Sequence, residues 1–185
     1  MAYLKVGDAN HYKKIGSASF SGASTVTLGQ PLGHYSVHKL FLTFLMSGGN
    51  ASHDLRVQIS TGGSFITSSY TWVMYGMISG NTNVYGREYE GTSSWTLNRD
   101  GLRDDRRARV EMTLYDLIQT GTGMNSAASW SLNTVNHDAD TRLVPCTGHG
   151  ILNDTSAIDD IKFYVSPASG ATTISGEWAL YGLNW

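Results

Sequence analysis

The chain alternates apolar and polar residues in many short stretches, and this period of two is typical of β-strands. In residues 39–47 one face is formed by Leu40, Leu42, Phe44 and Met46, and the other by Phe41, Thr43 and Leu45. Both faces are largely apolar. We therefore expect this strand to be buried between two layers or to lie at a subunit contact.

Further stretches show the same alternation. In residues 53–60, the polar side chains of Arg56 and Gln58 separate apolar ones, which predicts one wet face. The apolar members of these stretches are predicted core residues: Leu55, Val57 and Ile59; Tyr70, Trp72 and Met74; Val110, Met112 and Leu114; Ile161, Phe163 and Val165; and Ile174, Trp178 and Leu180.

Glycine-rich turns such as 47–50, 61–64 and 79–83 separate these stretches. About ten short strands without an amphipathic helix predict an all-β fold, an antiparallel sandwich or a barrel. We expect the last two strands to form a hairpin-like pair, with Trp178 and Leu180 in the core and Tyr181 facing outward.

The 185 residues suit one domain, which we place at residues 13–185 behind an extended N-terminal arm, residues 1–12. Charged residues make up 15% of the chain and the net charge is -2, so we expect no broad contact with nucleic acid or membranes. The chain starts without a secretory signal, and its longest apolar run is too short to span a bilayer. These features predict a soluble protein made in a cytoplasm.

Neither a strong catalytic motif nor a strong metal-binding motif is present. A Ser-His-Asp hydrolase would need a nucleophile, but no G-x-S-x-G motif occurs, and we predict no enzymatic activity and no cofactor. His34 and His38 would lie about 13 Å apart on a strand, too far to share a metal ion, so we interpret them as surface or interface histidines. His137, Asp138 and Asp140 are better explained by a turn than by a cation site.

The single cysteine, Cys146, cannot form a disulfide within the chain. We expect a buried thiol, with an intermolecular bridge as the alternative.

Residues 99–111 are densely charged, but their signs nearly cancel, which argues against a phosphate-binding patch. The segment is either a solvated loop or part of an intersubunit ion-pair network. The candidate interface residues are Phe41, Leu45, Arg103, Arg106, Arg107 and Tyr181.

Four aromatic residues, Tyr85, Tyr89, Trp95 and Trp130, are candidates for a sugar-binding platform, because aromatic rings stack on the apolar faces of sugars. The alternative is that they belong to the core or to an interface.

Three segments, residues 55–72, 110–116 and 156–183, resemble a jelly-roll module that is common in structural proteins of tailed bacteriophages. The last segment carries the strongest part of this resemblance, at Ile158, Ile161, Phe163, Gly170, Ile174, Gly176, Leu180, Tyr181 and Gly182.

The resemblance implies a jelly-roll β-sandwich that forms a homotrimer on a virion, as a fibre knob or a capsid decoration protein. It implies contacts with capsid, neck or tail proteins, and in some members with host surface glycans; the family offers no catalytic residues. Because this chain lacks a long N-terminal shaft, a head decoration or an accessory head, neck or tail fibre is favoured. We rank this structural virion protein, synthesised in a bacterial host cytoplasm, above a glycan-binding adhesin module of a phage tail.

Overall fold

The computed structural model describes residues 12–30, 32, 35–48, 53–77, 84–98, 102, 107–117, 126–135, 143–166 and 172–183. Its regular elements are antiparallel β-strands in two sheets, which confirms the prediction of an all-β sandwich. The strands are β1 (Lys13–Ala23), β2 (Thr25–Thr27), β3 (Val37–Ser47), β4 (Asp54–Thr61), β5 (Ser64–Phe65), β6 (Tyr70–Gly76), β7 (Tyr85–Thr92), β8 (Trp95–Thr96), β9 (Arg107–Tyr115), β10 (Ser126–Val135), β11 (Leu143–Leu152), β12 (Ile158–Ser166) and β13 (Thr173–Leu183).

The two sheets differ in width. Eight strands form the broad sheet in the order β1-β13-β3-β9-β10-β11-β6-β7. The narrow sheet has five strands, ordered β2-β12-β4-β5 with β8 also paired to β4. One apolar cluster draws side chains from both sheets, so the core lies between them. The jelly-roll connectivity stays a prediction.

The inner faces of the sheets carry the side chains that the alternation assigns to the core. On β3, Leu42 is fully buried while Phe41 and Leu45 are 39% and 41% exposed. All the predicted core residues of β4, β6, β9, β12 and β13 are buried. Successive side chains of a strand point to opposite faces, so a core on one side of each sheet produces this pattern.

The predicted closing hairpin of the last two strands is wrong. Strand β12 pairs with β2 and β4 in the narrow sheet, whereas β13 pairs with β1 and β3 in the broad sheet. The chain therefore changes sheets between the two strands. Gly176 of β13 lies against the backbone of β3 at Thr43 and Phe44, where a Cβ atom would clash, so it permits a close approach of two strands.

Two of the candidate sugar-platform residues are core residues. Trp95 is 0% and Trp130 is 4% exposed. The Trp130 indole covers Gly148 and the Trp95 indole covers Gly150, both on β11, and a Cβ atom at either glycine would clash with the ring. The Trp95 Nε1–H group also donates to the carbonyl of Ile151 at 3.4 Å. Of the two alternatives, the core assignment therefore holds for these two rings and the sugar platform does not, because glycines on β11 make room for them.

Two polar side chains lie deeper than the sequence indicates. Gln58, assigned to a wet face, is 7% exposed, and its Nε2 donates to the carbonyl of Ser93 at 2.9 Å. His38, interpreted as a surface or interface histidine, is fully buried, with Nε2 2.6 Å from the carbonyl oxygen of Leu32. In both cases a loop carbonyl provides the hydrogen bond that permits burial. His34 lies outside the described residues.

Candidate functional site

The outer face of the broad sheet, which we call the broad face, exposes large apolar side chains. Six of them are Phe41 and Leu45 on β3, Tyr75 on β6, Tyr115 on β9, and Leu143 and Ile151 on β11. Their exposed fractions run from 37% at Tyr115 to 61% at Leu143. The core lies on the other side of the sheet, so packing among the described residues does not explain this apolar surface.

Four candidate interface residues lie together on the broad face. The rings of Phe41 and Tyr181 meet edge-on, with centroids 5.9 Å apart. Arg107 is the cross-strand neighbour of Leu45. The other two candidates, Arg103 and Arg106, lie outside the described residues.

Charges of both signs surround this aromatic pair. Lys39 lies 2.5 Å from Glu111 and 5.4 Å from the centre of the Phe41 ring. Its hydrogen bond to Glu111 raises the pKa of Lys39. In register across the sheet, Thr43 lies between Glu177 on β13 and Arg109 on β9. A surface with interspersed cations and carboxylates can complement a second copy of itself.

The broad face is corrugated. A depression of about 470 Å³ is bordered by Phe41, Arg109 and Asn133. A second, of about 370 Å³, has a mostly apolar lining that includes Tyr115 and Ile151. Small side chains between projecting ones form these depressions, and such relief suits interdigitation with another protein surface.

A second candidate site lies away from the broad face, on the inner side of edge strand β7. We call it the Trp72–Tyr89 cleft; it has a volume of about 370 Å³. Its lining residues are Asp54, Arg56, Trp72, Arg87, Tyr89, Thr92, Ser93, Ser94 and Thr96. Strands β4, β6, β7 and β8 and the segment between β7 and β8 supply these side chains.

The register of the β6–β7 pair positions the aromatic residues of the cleft. Trp72 and Tyr89 are cross-strand neighbours, and their ring centroids lie 4.7 Å apart at an interplanar angle of 33°. Trp72 is 5% exposed and Tyr89 is 46% exposed. A buried indole thus supports an aromatic ring that solvent can reach.

Two of the three charged side chains of the cleft are cationic. Arg56 Nη2 lies 3.1 Å from Asp54 Oδ2, while Arg87 has no ion-pair partner in the described part of the chain. Within the same residues, the buried Arg56 Nε and Trp72 Nε1 atoms have no hydrogen-bond partner. Buried donors without partners are uncommon in folded proteins.

Of the four aromatic residues proposed for a sugar platform, Tyr89 alone has a described and exposed ring. The backbone of Tyr85 belongs to β7, but its side chain lies outside the description. Sequence reasoning missed that Trp72 lies beside Tyr89, although counting outward from the turn at 79–83 would have placed the two residues on neighbouring strands.

Two other reactive side chains, those of Cys146 and His53, lie in the core. Cys146 is 1% exposed on β11, which agrees with a buried thiol. The His53 ring is fully buried, with Nε2 3.2 Å from the Thr172 hydroxyl. No cluster of three potential metal ligands occurs among the residues whose positions are described. The stretch with His137, Asp138 and Asp140 lies outside them.

In the described ranges, the fold contains no helix with the length and apolar character needed to cross a membrane. No protein-family model matches the chain, and no match was found among curated proteins or solved structures.

Proposed function

We propose that the protein is a structural subunit of a bacteriophage virion exterior, and that it assembles with further copies of itself, as a trimer, through the broad face. It serves as a head decoration or as an accessory head, neck or tail fibre. The observation that carries the self-association is the group of exposed apolar side chains on the face that does not meet the core.

A second copy of this chain is the partner that fits the broad face best. The exposed apolar side chains alternate there with Lys39, Glu111, Arg109 and Glu177, so the face is neither purely apolar nor of one sign. In a cyclic trimer one part of this face meets a different part of the neighbour's face, and the two parts can pair apolar with apolar residues and cation with carboxylate. Aromatic residues and arginine are also enriched in the cores of protein interfaces.

Placement on a virion is supported by the resemblance of residues 156–183 to the phage module. Low charge, at 15% of residues, and a glycine-rich chain with 21 glycines suit a small sandwich that is largely enclosed by neighbours. The trimeric state and the exterior position come from the same resemblance.

Light scattering after size-exclusion chromatography tests the assembly. We expect the wild-type protein to have the mass of three chains and the double variant Phe41→Glu, Leu45→Glu to be a folded monomer, because buried carboxylates without partners oppose association. Thr27→Glu, an exposed change on the outer face of the narrow sheet, is the matched control and should stay trimeric. A wild-type monomer at all concentrations would overturn the self-association.

Immunogold labelling of intact particles from cells that produce the phage tests the location. We expect label on the outside of the head, neck or tail, and competition of the label by added protein. Unlabelled particles that also lack the chain in a denaturing gel would overturn the virion assignment.

A further inference from the structure

We propose that the Trp72–Tyr89 cleft binds an acidic saccharide, a sugar ring that carries one carboxylate. This site is independent of the proposed assembly, because the cleft residues Trp72 and Tyr89 belong to the inner side of β6 and β7 and not to the broad face.

The aromatic pair provides the apolar contact. Nearly half of the Tyr89 side chain is exposed, and Trp72 supports the ring from a buried position, 4.7 Å away between centroids. A ring that is held in place loses little conformational freedom when a ligand stacks on it. The apolar C–H face of a sugar is a suitable partner for such a ring.

The charge of the lining determines the kind of sugar. Arg56 and Arg87 contribute two positive charges and Asp54 one negative charge, which leaves one positive charge on a protein of net charge -2. One carboxylate balances this excess. A phosphate group, with about two negative charges, would be only partly compensated.

Hydrogen-bonding groups in the lining fit the hydroxyls of a sugar. The Arg56 Nε and Trp72 Nε1 groups are buried donors that have no partner within the described residues, and both residues line the cleft. Ser93 adds a hydroxyl to the lining, while the Thr92 hydroxyl lies within hydrogen-bonding distance of the carbonyls of Tyr70 and Ser94 and can donate to either one. The exposed guanidinium of Arg87 is the donor that an oxygen-rich ligand can reach, because it lines the cleft and has no ion-pair partner among the described residues.

Saturation-transfer NMR and titration calorimetry with D-glucuronate test this site. We expect a dissociation constant of roughly 1 mM for the monosaccharide, a value usual for a ligand of this size, and weaker binding of D-glucose. Tyr89→Ala should weaken glucuronate binding about tenfold. Arg87→Gln should reduce the preference for glucuronate over glucose by about the same factor.

Tyr12→Ala is the matched control, because Tyr12 is 44% exposed and lies outside the cleft lining. It should bind glucuronate like the wild-type protein. Trp72→Phe keeps a supporting ring of smaller area behind Tyr89, and it should lower the affinity without unfolding the chain. Absence of glucuronate binding, equal binding by Tyr89→Ala, or tighter binding of inorganic phosphate or adenosine monophosphate would overturn the proposal.

Light scattering on the same samples separates this inference from the assembly. Trimers that do not bind glucuronate would refute the cleft alone, and monomers that bind it would refute the assembly alone.

Discussion

On strand β3, the inward side chains and the outward side chains are both largely apolar, but their surroundings differ. Leu40 and Leu42 are fully buried under the narrow sheet, whereas Phe41 and Leu45 are 39% and 41% exposed. The difference shows that alternation reveals which side chains share a face, but not what covers that face. An apolar inner face is required by folding, whereas the apolar outer face is the observation on which the proposed assembly rests.

The largest expected effect comes from strand β13, which contributes to both faces. Deleting residues 172–185 removes Trp178 and Leu180 from the core and leaves β1 and β3 without their common neighbour. We expect an unfolded chain, seen as loss of cooperative thermal unfolding and of the β-sheet circular dichroism signal.

The matched variant Tyr181→Ala changes β13 on the outer face alone. It should stay folded, and at a protein concentration low enough to dissociate both proteins its melting temperature should be close to that of the wild type. A truncated chain that still unfolds cooperatively would show that the inner face does not need β13.

A smaller effect distinguishes the two faces within one strand. Leu42→Ala should lower the free energy of unfolding by about 2–5 kcal/mol, because it leaves a cavity in the core. Leu45→Ala removes the same atoms from the outer face and should cost less than about 1 kcal/mol in the isolated chain. Urea unfolding at low protein concentration measures both values.

The Leu45 variant should become more destabilising as the protein concentration rises, because association stabilises the folded state by mass action. An effect of Leu45→Ala that is independent of concentration would contradict a role for this side chain in assembly.

The sequence correctly predicted which side chains share a face, because the alternation of apolar and polar residues is a property of each strand alone. Leu55, Val110 and Phe163 are buried as expected, since the side-chain period of a strand is local information. The same local pattern also placed Tyr181 outward.

Strand pairing was harder to predict from the sequence, because it depends on distant parts of the chain. The inner faces of β12 and β13 are equally apolar whether the two strands are neighbours or lie in opposite sheets, so the pattern could not reject a hairpin. The alternation of apolar and polar residues did not predict the bounds of strands β10 and β11. Pro145, Gly148 and Gly150 disfavour a strand by propensity, yet all three lie in β11.

The candidate binding sites could not be predicted from local sequence for the same reason. The burial of Trp95 and Trp130 requires glycines at 150 and 148, which no pattern near either tryptophan reveals. The Trp72–Tyr89 cleft combines two sheets, and its cations come from β4 and β7, so only the folded chain brings them together.

The smallest expected effect is on the pH dependence of the free energy of unfolding. It is tested with two histidines that lie on opposite faces of the broad sheet. Burial of the His38 ring lowers the pKa of its imidazole below the ordinary value of 6.5, although the hydrogen bond to Leu32 opposes this shift. The unfolded state therefore binds more protons below pH 6.5, so the free energy of unfolding should fall as the pH is lowered through that value. His149 projects from β11 on the broad face and is exposed.

His38→Gln should flatten the stability profile between pH 6.5 and the lower pKa of the folded state. His149→Gln changes a histidine on the outer face of the same sheet and is the matched comparison. Because other groups also titrate in acid, the comparison rests on the difference between the two variants, measured by urea unfolding at a series of pH values. The reverse outcome, a flattened profile in His149→Gln and an unchanged one in His38→Gln, would mean that the outer face and not the core controls the acid response.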